Sequence, residues 1–197
     1  VGEENIAKIV SERPKDSINL CYFGRVTPEK NVDVVIKAFD MLCKKYDDVF
    51  LTIIGGSGFS KEYVKDIDAM IDNSPYKSHI VRKGLTPFAE IKEIMQSQHF
   101  FVFPSKERCE GHSNSLNEAM AQGLVPIVSD YHFNRAIVGD DRLIVDGYEP
   151  KAYAEKIDWL RNNCDMRALS LQMRDRVRDN FSFDIVNNRI YEELKKL

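Results

Sequence analysis

Short apolar segments alternate with longer amphipathic segments along most of this chain of 197 residues. The apolar segments, such as INLCYF, are too short for ordinary helices and are bounded by Gly, Pro or polar residues. Strands of this kind between helices of ten to fifteen residues indicate βαβ units, in which parallel strands are buried on both faces. The pattern therefore predicts an α/β fold, a Rossmann-like three-layer domain with a mainly parallel six-stranded sheet and C-terminal helices.

The six predicted strands cover residues 18–23, 50–54, 79–82, 100–103, 125–128 and 143–145. The predicted helices cover residues 32–46, 61–72, 87–97, 150–162, 166–180 and 183–197, and a further helix begins near Ser113. Residues 1–17 are mostly polar and contain a proline, so we interpret them as a linker from a missing N-terminal domain. The domain itself is expected to span residues 18–197.

Composition argues against several classes of function. A net charge of −3 gives no general attraction for nucleic acid. No segment approaches the roughly 18 apolar residues that a membrane-spanning helix needs. The four cysteines are widely spaced and form no CxxC pair, so neither a zinc site nor a disulfide framework is indicated. We expect a cytoplasmic protein with no metal site and no nucleic-acid partner.

Two carboxylates bracket the helix start that follows the fourth predicted strand. Glu110 precedes Ser113, and Glu118 lies about one turn inside the helix. Unpaired N–H groups and the positive end of the helix dipole favour a phosphate at this point. Helical side chains lean toward the N-terminus, so Glu118 is expected to face the same opening as Glu110. This arrangement suits a sugar nucleotide, whose phosphate lies between two hydroxyl-bearing groups.

The residues alone leave other interpretations of this pair open. Two carboxylates also serve as the general acid and base of glycoside hydrolysis. Alternatively, Glu110 is a loop surface charge and Glu118 is an acid favoured by the helix dipole. His112 can act as a base beside them, although a lone loop histidine is more often simply solvated.

Arg25 and Lys30 follow the first predicted strand, five residues apart on one loop. They can converge on a diphosphate, Arg as a planar fork and Lys as a point charge, or they are two solvated surface cations. The turn Gly55-Gly56-Ser57-Gly58 after the second strand permits close approach of a ligand, although it does not match GxGxxG and also suits a plain turn. No Walker loop is present, which counts against ATP hydrolysis.

Three stretches together resemble the group-one family of retaining glycosyltransferases, which have the GT-B fold and use nucleotide-sugar donors. They are FGRVTPEKNVDVVIKAF, LTIIGGSG and EGHSNSLNEAMAQGLVPIVSD, and the last is similar to the Glu-x7-Glu motif of that family. Their order and spacing agree with the donor-binding domain over residues 18–197. One departure is the turn GGSG, because the family usually has an acidic residue after its first glycine.

The resemblance implies a role for each matching residue. Arg25 and Lys30 bind the donor diphosphate, Glu118 accepts hydrogen bonds from the ribose, and the backbone of Leu85 or Thr86 pairs with the nucleobase. Glu110 contacts the donor sugar. The implied donor-binding residues are Gly24, Arg25, Lys30, Leu85, Thr86, Glu110, Gly111, His112, Ser113, Asn114, Ser115 and Glu118, and of these Arg25, Lys30 and Glu110 are expected to be catalytic.

The resemblance also implies how the reaction proceeds and what else it needs. The anomeric configuration is retained, the donor is a UDP- or GDP-sugar, and neither a metal nor another cofactor is required. The acceptor site lies in the enzyme's own N-terminal domain, which is absent, so this chain is expected to bind nucleotide weakly and to transfer nothing alone. A peripheral membrane contact of the full-length enzyme is a further expectation, which the basic run at residues 174–178 also allows. The rivals are a sugar-phosphate phosphorylase and a catalytically silent binding module of the same fold.

Overall fold

The computed structural model describes residues 3–58, 60–106, 112–131 and 133–196 of the chain. Within these ranges, six strands form one sheet, in which every pair of neighbours is parallel. The strands are β1 (Ile18–Phe23), β2 (Val49–Ile54), β3 (Ile80–Lys83), β4 (Phe100–Phe103), β5 (Val125–Ser129) and β6 (Ile144–Val145). The predicted Rossmann-like α/β fold is confirmed, and each strand lies within a residue or two of its predicted position.

Helices connect the strands and cover the sheet. Short 3-10 turns at Pro28–Lys30, Lys77–His79 and Asp141–Leu143 supplement them. The helix Pro150–Asn163 lies against the helix Val32–Cys43, whereas the helix Met166–Phe181 lies against the helix Asn114–Ala121. The α-helices in the described ranges are α1 (Glu3–Glu12), α2 (Val32–Cys43), α3 (Lys61–Asn73), α4 (Phe88–Met95), α5 (Asn114–Ala121), α6 (Asn134–Val138), α7 (Pro150–Asn163), α8 (Met166–Phe181) and α9 (Phe183–Leu194).

Burial follows the apolar pattern of the strands. Every residue of β1, β4 and β5 is buried, because these central strands have helices on both faces. β3 lies at one edge of the sheet, and its Val81 is 51% exposed. Burial of the central strands removes several large side chains from water, each of which contributes about 1.5–3 kcal/mol.

The strand order β3-β2-β1-β4-β5-β6 sets the position of any ligand site. From β1 the chain moves outward to β2 and β3, and then it returns to place β4 on the other side of β1. The connections on the two sides of β1 therefore diverge, which opens a crevice at the carboxyl ends of β1 and β4. In open α/β sheets, ligands bind at such a switch point.

Glycines at the ends of β1 and β2 let the two strand ends approach closely. Gly55 has φ +139°, and a Cβ atom on it would lie 1.8 Å from the carbonyl oxygen of Gly24. Gly24 itself donates from its backbone N to the carbonyl of Ile54 at 3.0 Å. The crossing of these backbones requires a residue without a side chain at Gly55.

The N-terminal segment differs from its interpretation as a linker. Residues 3–12 form helix α1, which packs on α8 and buries Ile6 and Val10 at 3% and 7% exposure. The spacing of four between these two residues puts both on one helix face, which is enough to dock a short helix on a preformed domain. The segment is thus part of the folded unit. That it leads in from another domain stays a prediction.

Two further features concern the helices. Helix α9 has no fully buried side chain, and it exposes Phe183, Ile190, Tyr191 and Leu194 by more than half. Within the described ranges, no helix is both long enough and apolar enough to cross a lipid bilayer.

Candidate functional site: the crevice at the carboxyl ends of β1 and β4

The loop after β1 runs beside the loop after β2. Val26 donates from its backbone N to the carbonyl of Gly56 at 2.9 Å, and the Tyr22 hydroxyl donates to the carbonyl of Arg25 at 2.5 Å. Arg25 is exposed, and its Cδ lies 3.9 Å from the point where Gly58 would carry a Cβ. The side chain of Arg25 thus extends over the glycine turn and carries its charge at the rim of the crevice.

Lys30 lies deeper in the same crevice. It ends the 3-10 turn Pro28–Lys30, and its side chain is only 3% exposed. Its Nζ lies 5.0 Å from the ring centroid of Phe103, the last residue of β4. A lysine held over an aromatic face gains a cation–π interaction and is a charge fixed in position. Lys30 therefore bridges the two strands that flank the switch point.

Two hydrogen bonds join the loop after β1 to the loop after β4. Asn31 donates from Nδ2 to the carbonyl of Pro104 at 2.8 Å, and Lys106 donates from its backbone N to the carbonyl of Glu29 at 2.8 Å. Asn31 has φ +50°, a left-handed conformation that Asn tolerates better than most residues. Asn31 directly precedes α2, and nothing in its local sequence predicts a bond to Pro104.

Helix α5 begins on the β4 side of the crevice. Its N-cap residue Ser113 is 2% exposed, and the Ser113 hydroxyl makes no capping bond but lies 3.2 Å from the hydroxyl of Ser115. The first turn contains no acidic residue, while Asn114 is exposed and Ser115 is half-buried. The positive end of this helix is thus not neutralised by a first-turn acid, as an anion site requires.

Glu118 lies in the second turn of α5 and is half-buried. Burial raises the pKa of its carboxyl group, and among the described residues none forms a hydrogen bond or ion pair with it. Neighbouring Leu116 and Ala119 are fully buried in the core, so the helix cannot rotate to expose Glu118 further. A carboxylate in this position can accept hydrogen bonds from the hydroxyl groups of a ligand.

The loop after β3 approaches the same edge of the sheet. Gly55 donates from its backbone N toward the carbonyls of Lys83 and Gly84, both at 3.1 Å. Leu85 is 92% exposed, although its Cγ lies 3.2 Å from the position that a Cβ on Gly56 would occupy. The Thr86 hydroxyl donates to the carbonyl of Gly84 at 3.1 Å. The backbones of the loops after β1, β2 and β3 are therefore linked in a row.

Three further predicted donor-binding residues lie between β4 and α5 in the sequence. Glu110 and Gly111 lie outside the described residues, so their roles stay predictions. His112 is exposed, and its ring contacts Phe181 edge to face at 4.6 Å between centroids. This contact joins Phe181, the last residue of α8, to the segment between β4 and α5.

Among the described residues, no three His, Cys, Asp or Glu side chains lie close enough together to hold a metal ion. The cations Arg25 and Lys30 and the start of α5 are instead the positively charged groups that border the crevice.

Relatives of the chain are glycosyltransferases. The capsular polysaccharide biosynthesis glycosyltransferase CapM of Staphylococcus aureus is 26% identical over 201 residues, which cover 99% of this chain and 48% of CapM. The uncharacterized glycosyltransferase MJ1069 of Methanocaldococcus jannaschii is 28% identical over 149 residues, which cover 75% of this chain and 34% of MJ1069. The chain thus spans about half of the length of these relatives.

Solved structures share the fold. Alr3699/HepE of Anabaena in complex with UDP has a TM-score of 0.82 at 17% identity, over 100% of this chain and 54% of HepE. The complex of HepE with UDP-glucose has a TM-score of 0.80 with the same coverage. The family described as glycosyl transferases group 1 matches residues 3–179. With most of its length matched in this way, the chain belongs to the group 1 glycosyl transferases.

Proposed function

We propose that this chain is the nucleotide-sugar donor-binding domain of a retaining glycosyltransferase that acts on a glycan or a lipid-linked acceptor. The observation that carries the proposal is the unpartnered, half-buried carboxylate of Glu118 on a helix whose first turn borders the same crevice as Lys30. A fixed cation, a helix N-terminus without a first-turn acid and an acceptor for hydroxyl groups together match the phosphates and ribose of a sugar nucleotide. Since HepE binds UDP and UDP-glucose, a UDP-sugar is the preferred donor class.

The diphosphate is held from both sides of the switch point. Arg25 donates from the rim and Lys30 from the interior, and the N–H groups at the start of α5 face the phosphates from the β4 side. When the bond between the sugar and the phosphate breaks, negative charge grows on the leaving diphosphate. Cations that are already fixed in place stabilise this charge without reorganisation, and this is their catalytic contribution.

The rest of the donor is recognised by groups on either side of the diphosphate. The ribose hydroxyls donate to Glu118, whose burial without a partner makes such bonds favourable. The base pairs with the backbone at Leu85 or Thr86, and the exposed Leu85 side chain covers the glycine turn beneath it. Glu110 and Gly111 contact the sugar.

Transfer needs more than this chain. Its relatives are about twice as long, which supports an acceptor-binding domain elsewhere in the full-length protein. Sugar transfer then occurs on one face of the donor with retention, and the leaving phosphate accepts the proton of the acceptor hydroxyl. A place in polysaccharide assembly is supported by the name of CapM. Cys21, Cys43 and Cys164, the cysteines that the structure describes, are free thiols, which supports a cytoplasmic location. A peripheral membrane contact of the full-length enzyme is also part of the proposal.

Isothermal titration of the chain with UDP, GDP and ADP tests the proposal. We expect UDP to bind most tightly and Arg25→Ala to weaken UDP binding about ten-fold or more, because a hydrogen bond from a charged group contributes roughly 1.5–3 kcal/mol. Lys8→Ala is the matched control, since Lys8 is an exposed cation on α1, which packs beside Gly123 just before the amino end of β5. Absence of nucleotide binding, or equal affinity in the parent and Arg25→Ala, contradicts the proposal.

A further inference from the structure

A second cavity lies at the amino ends of the strands, whereas the donor crevice lies at their carboxyl ends. Its floor includes Ile18 and Phe100, the first residues of β1 and β4, so it opens at the amino ends of the strands. Its walls come from parts of α7 and α8 and from six residues of the N-terminal segment, Val10, Ser11, Arg13, Pro14, Lys15 and Ser17. Its volume of about 250 Å³ is far more than one water molecule needs, and it lies just below the range of about 300–1,000 Å³ that is usual for ligand pockets. The cavity is therefore large enough for a small molecule.

The charge around this cavity is one-sided. Arg13, Lys15, Arg161 and Arg167 line it, and no Asp or Glu that the structure describes does, although acids outnumber bases by 31 to 28 in the whole chain. Among the described residues, none of these four cations pairs with a carboxylate. Four cations collected around one concave surface without counterions produce a strong local positive potential.

Two of the cations are held in fixed positions. The Arg13 guanidinium is 6% exposed and donates to the carbonyls of Gln122 and Gly123 at 2.7 and 2.6 Å. These neutral acceptors satisfy its N–H groups but leave its charge uncompensated. The guanidinium of Arg161 lies 4.7 Å from the ring centroid of Tyr46. Fixed cations of this kind lose little conformational freedom when an anion binds.

The wall also contains a histidine whose pKa responds to this positive potential. His99 lines the cavity, and burial, together with the charges of Arg13 and Arg161, lowers the pKa of its imidazole to about 4. His99 is therefore neutral at pH 7, and the potential near it is positive from Arg13 and Arg161. An anion bound in the cavity lowers the positive potential at His99.

We propose that this cavity binds a phosphomonoester with a short, partly apolar body. A dianionic phosphate compensates more of the four positive charges than a single carboxylate does, and guanidinium groups match its geometry. The apolar floor at Ile18, Phe100 and Met166 contacts the body of the ligand. The site is independent of the donor crevice, because the two lie at opposite ends of the strands.

Titration with glycerol 3-phosphate and with inorganic phosphate, followed by NMR at constant ionic strength and pH 7, tests this inference. We expect saturable shifts of the His99 ring and the Ser170 amide, and none at Glu118. The double variant Arg161→Gln, Arg167→Gln should weaken binding at least about ten-fold. The double variant Lys151→Gln, Lys156→Gln is the matched control, since it removes the same charge from α7 outside the cavity and should bind within about two-fold of the parent.

Several outcomes overturn the inference. They are shifts that do not saturate, equal weakening in the control variant, or shifts confined to the donor crevice. Vesicles of phosphatidylcholine with about 20% phosphatidylglycerol separate a soluble ligand from a lipid headgroup, and binding to vesicles without binding of glycerol 3-phosphate also contradicts it. If thermal unfolding shows that the arginine variant is damaged, Lys15→Gln replaces it, because Lys15 is exposed and its loss leaves the fold intact.

Discussion

Asn31 donates a 2.8 Å hydrogen bond from its side-chain amide to the backbone carbonyl of Pro104, across the point where the strand order reverses. This bond fixes the distance between the loop that carries Lys30 and the loop that leads to α5. A donor that contacts both loops needs them at a constant spacing. Asn31 is therefore a positioning residue of the proposed site.

We expect Asn31→Ala to destabilise the domain by about 2–4 kcal/mol, since a buried carbonyl loses its donor and alanine is strained at φ +50°. Asn31→Gly is the matched control, because glycine adopts this conformation freely but cannot make the bond. Urea unfolding should rank the parent, Asn31→Gly and Asn31→Ala in order of decreasing stability. A glycine variant as stable as the parent shows that the bond to Pro104 contributes nothing.

Gly55→Ala should destabilise the domain severely, by about 3 kcal/mol or more, because the added Cβ would lie 1.8 Å from the Gly24 carbonyl. Gly84→Ala is the control at the end of the neighbouring strand, where a Cβ has no neighbour within 4 Å. Thermal unfolding of both variants checks the expectation. Equal stability of the two variants contradicts the close approach of β1 and β2.

Arg13→Met should destabilise the domain by roughly 3 kcal/mol or more, because it leaves buried carbonyls of Gln122 and Gly123 without donors. These carbonyls end α5, the helix that carries Glu118, so the variant should also weaken UDP binding. Arg13→Lys keeps the charge but not the planar fork, and it should lie between Arg13→Met and the parent in chemical denaturation. A fully stable Arg13→Met variant contradicts a structural role for this arginine.

Stability should fall as the pH is lowered from about 6.5 to about 4. Burial first, and then the charges of Arg13 and Arg161, lower the pKa of His99 from 6.5 to about 4. Between these values the unfolded chain binds a proton that the folded chain does not, so stability is lost as pH falls through the window. Across this window the free energy of unfolding falls by about 3 kcal/mol. In His99→Gln, urea unfolding across this range should show a smaller loss than in the parent, and an unchanged loss contradicts the assignment.

Sequence pattern predicted most of the fold for a physical reason. Apolar segments of strand length between amphipathic helices have few ways to bury their surfaces, so the sheet and nearly all helix positions followed from local pattern. Helix α1 was missed because only Ile6 and Val10 mark its buried face, which a polar linker also allows. The order of the strands is a property of the whole sheet that no local segment encodes.

The residues of the candidate site were predicted from motifs and not from hydrophobic pattern, and their roles stay predictions. Arg25, Lys30 and Glu118 stand in motifs whose spacing resembles that of a known family. The roles of Asn31 and Arg13 were not predictable, because their partners are backbone carbonyls 73 and 110 residues away for the closest bonds. Backbone acceptors carry no residue identity, so sequence gives no sign of such a bond.

Glu118→Gln offers the most direct test of the central claim, that the crevice binds the ribose and diphosphate of a sugar nucleotide. Glutamine has nearly the same shape, and it removes a charge that burial disfavours and that no described residue compensates. We predict that the variant is at least as stable as the parent at pH 7, while calorimetry shows UDP binding weakened about ten-fold or more. A variant that is less stable but binds UDP as tightly as the parent would show that Glu118 serves the fold, and it would contradict the proposed donor site.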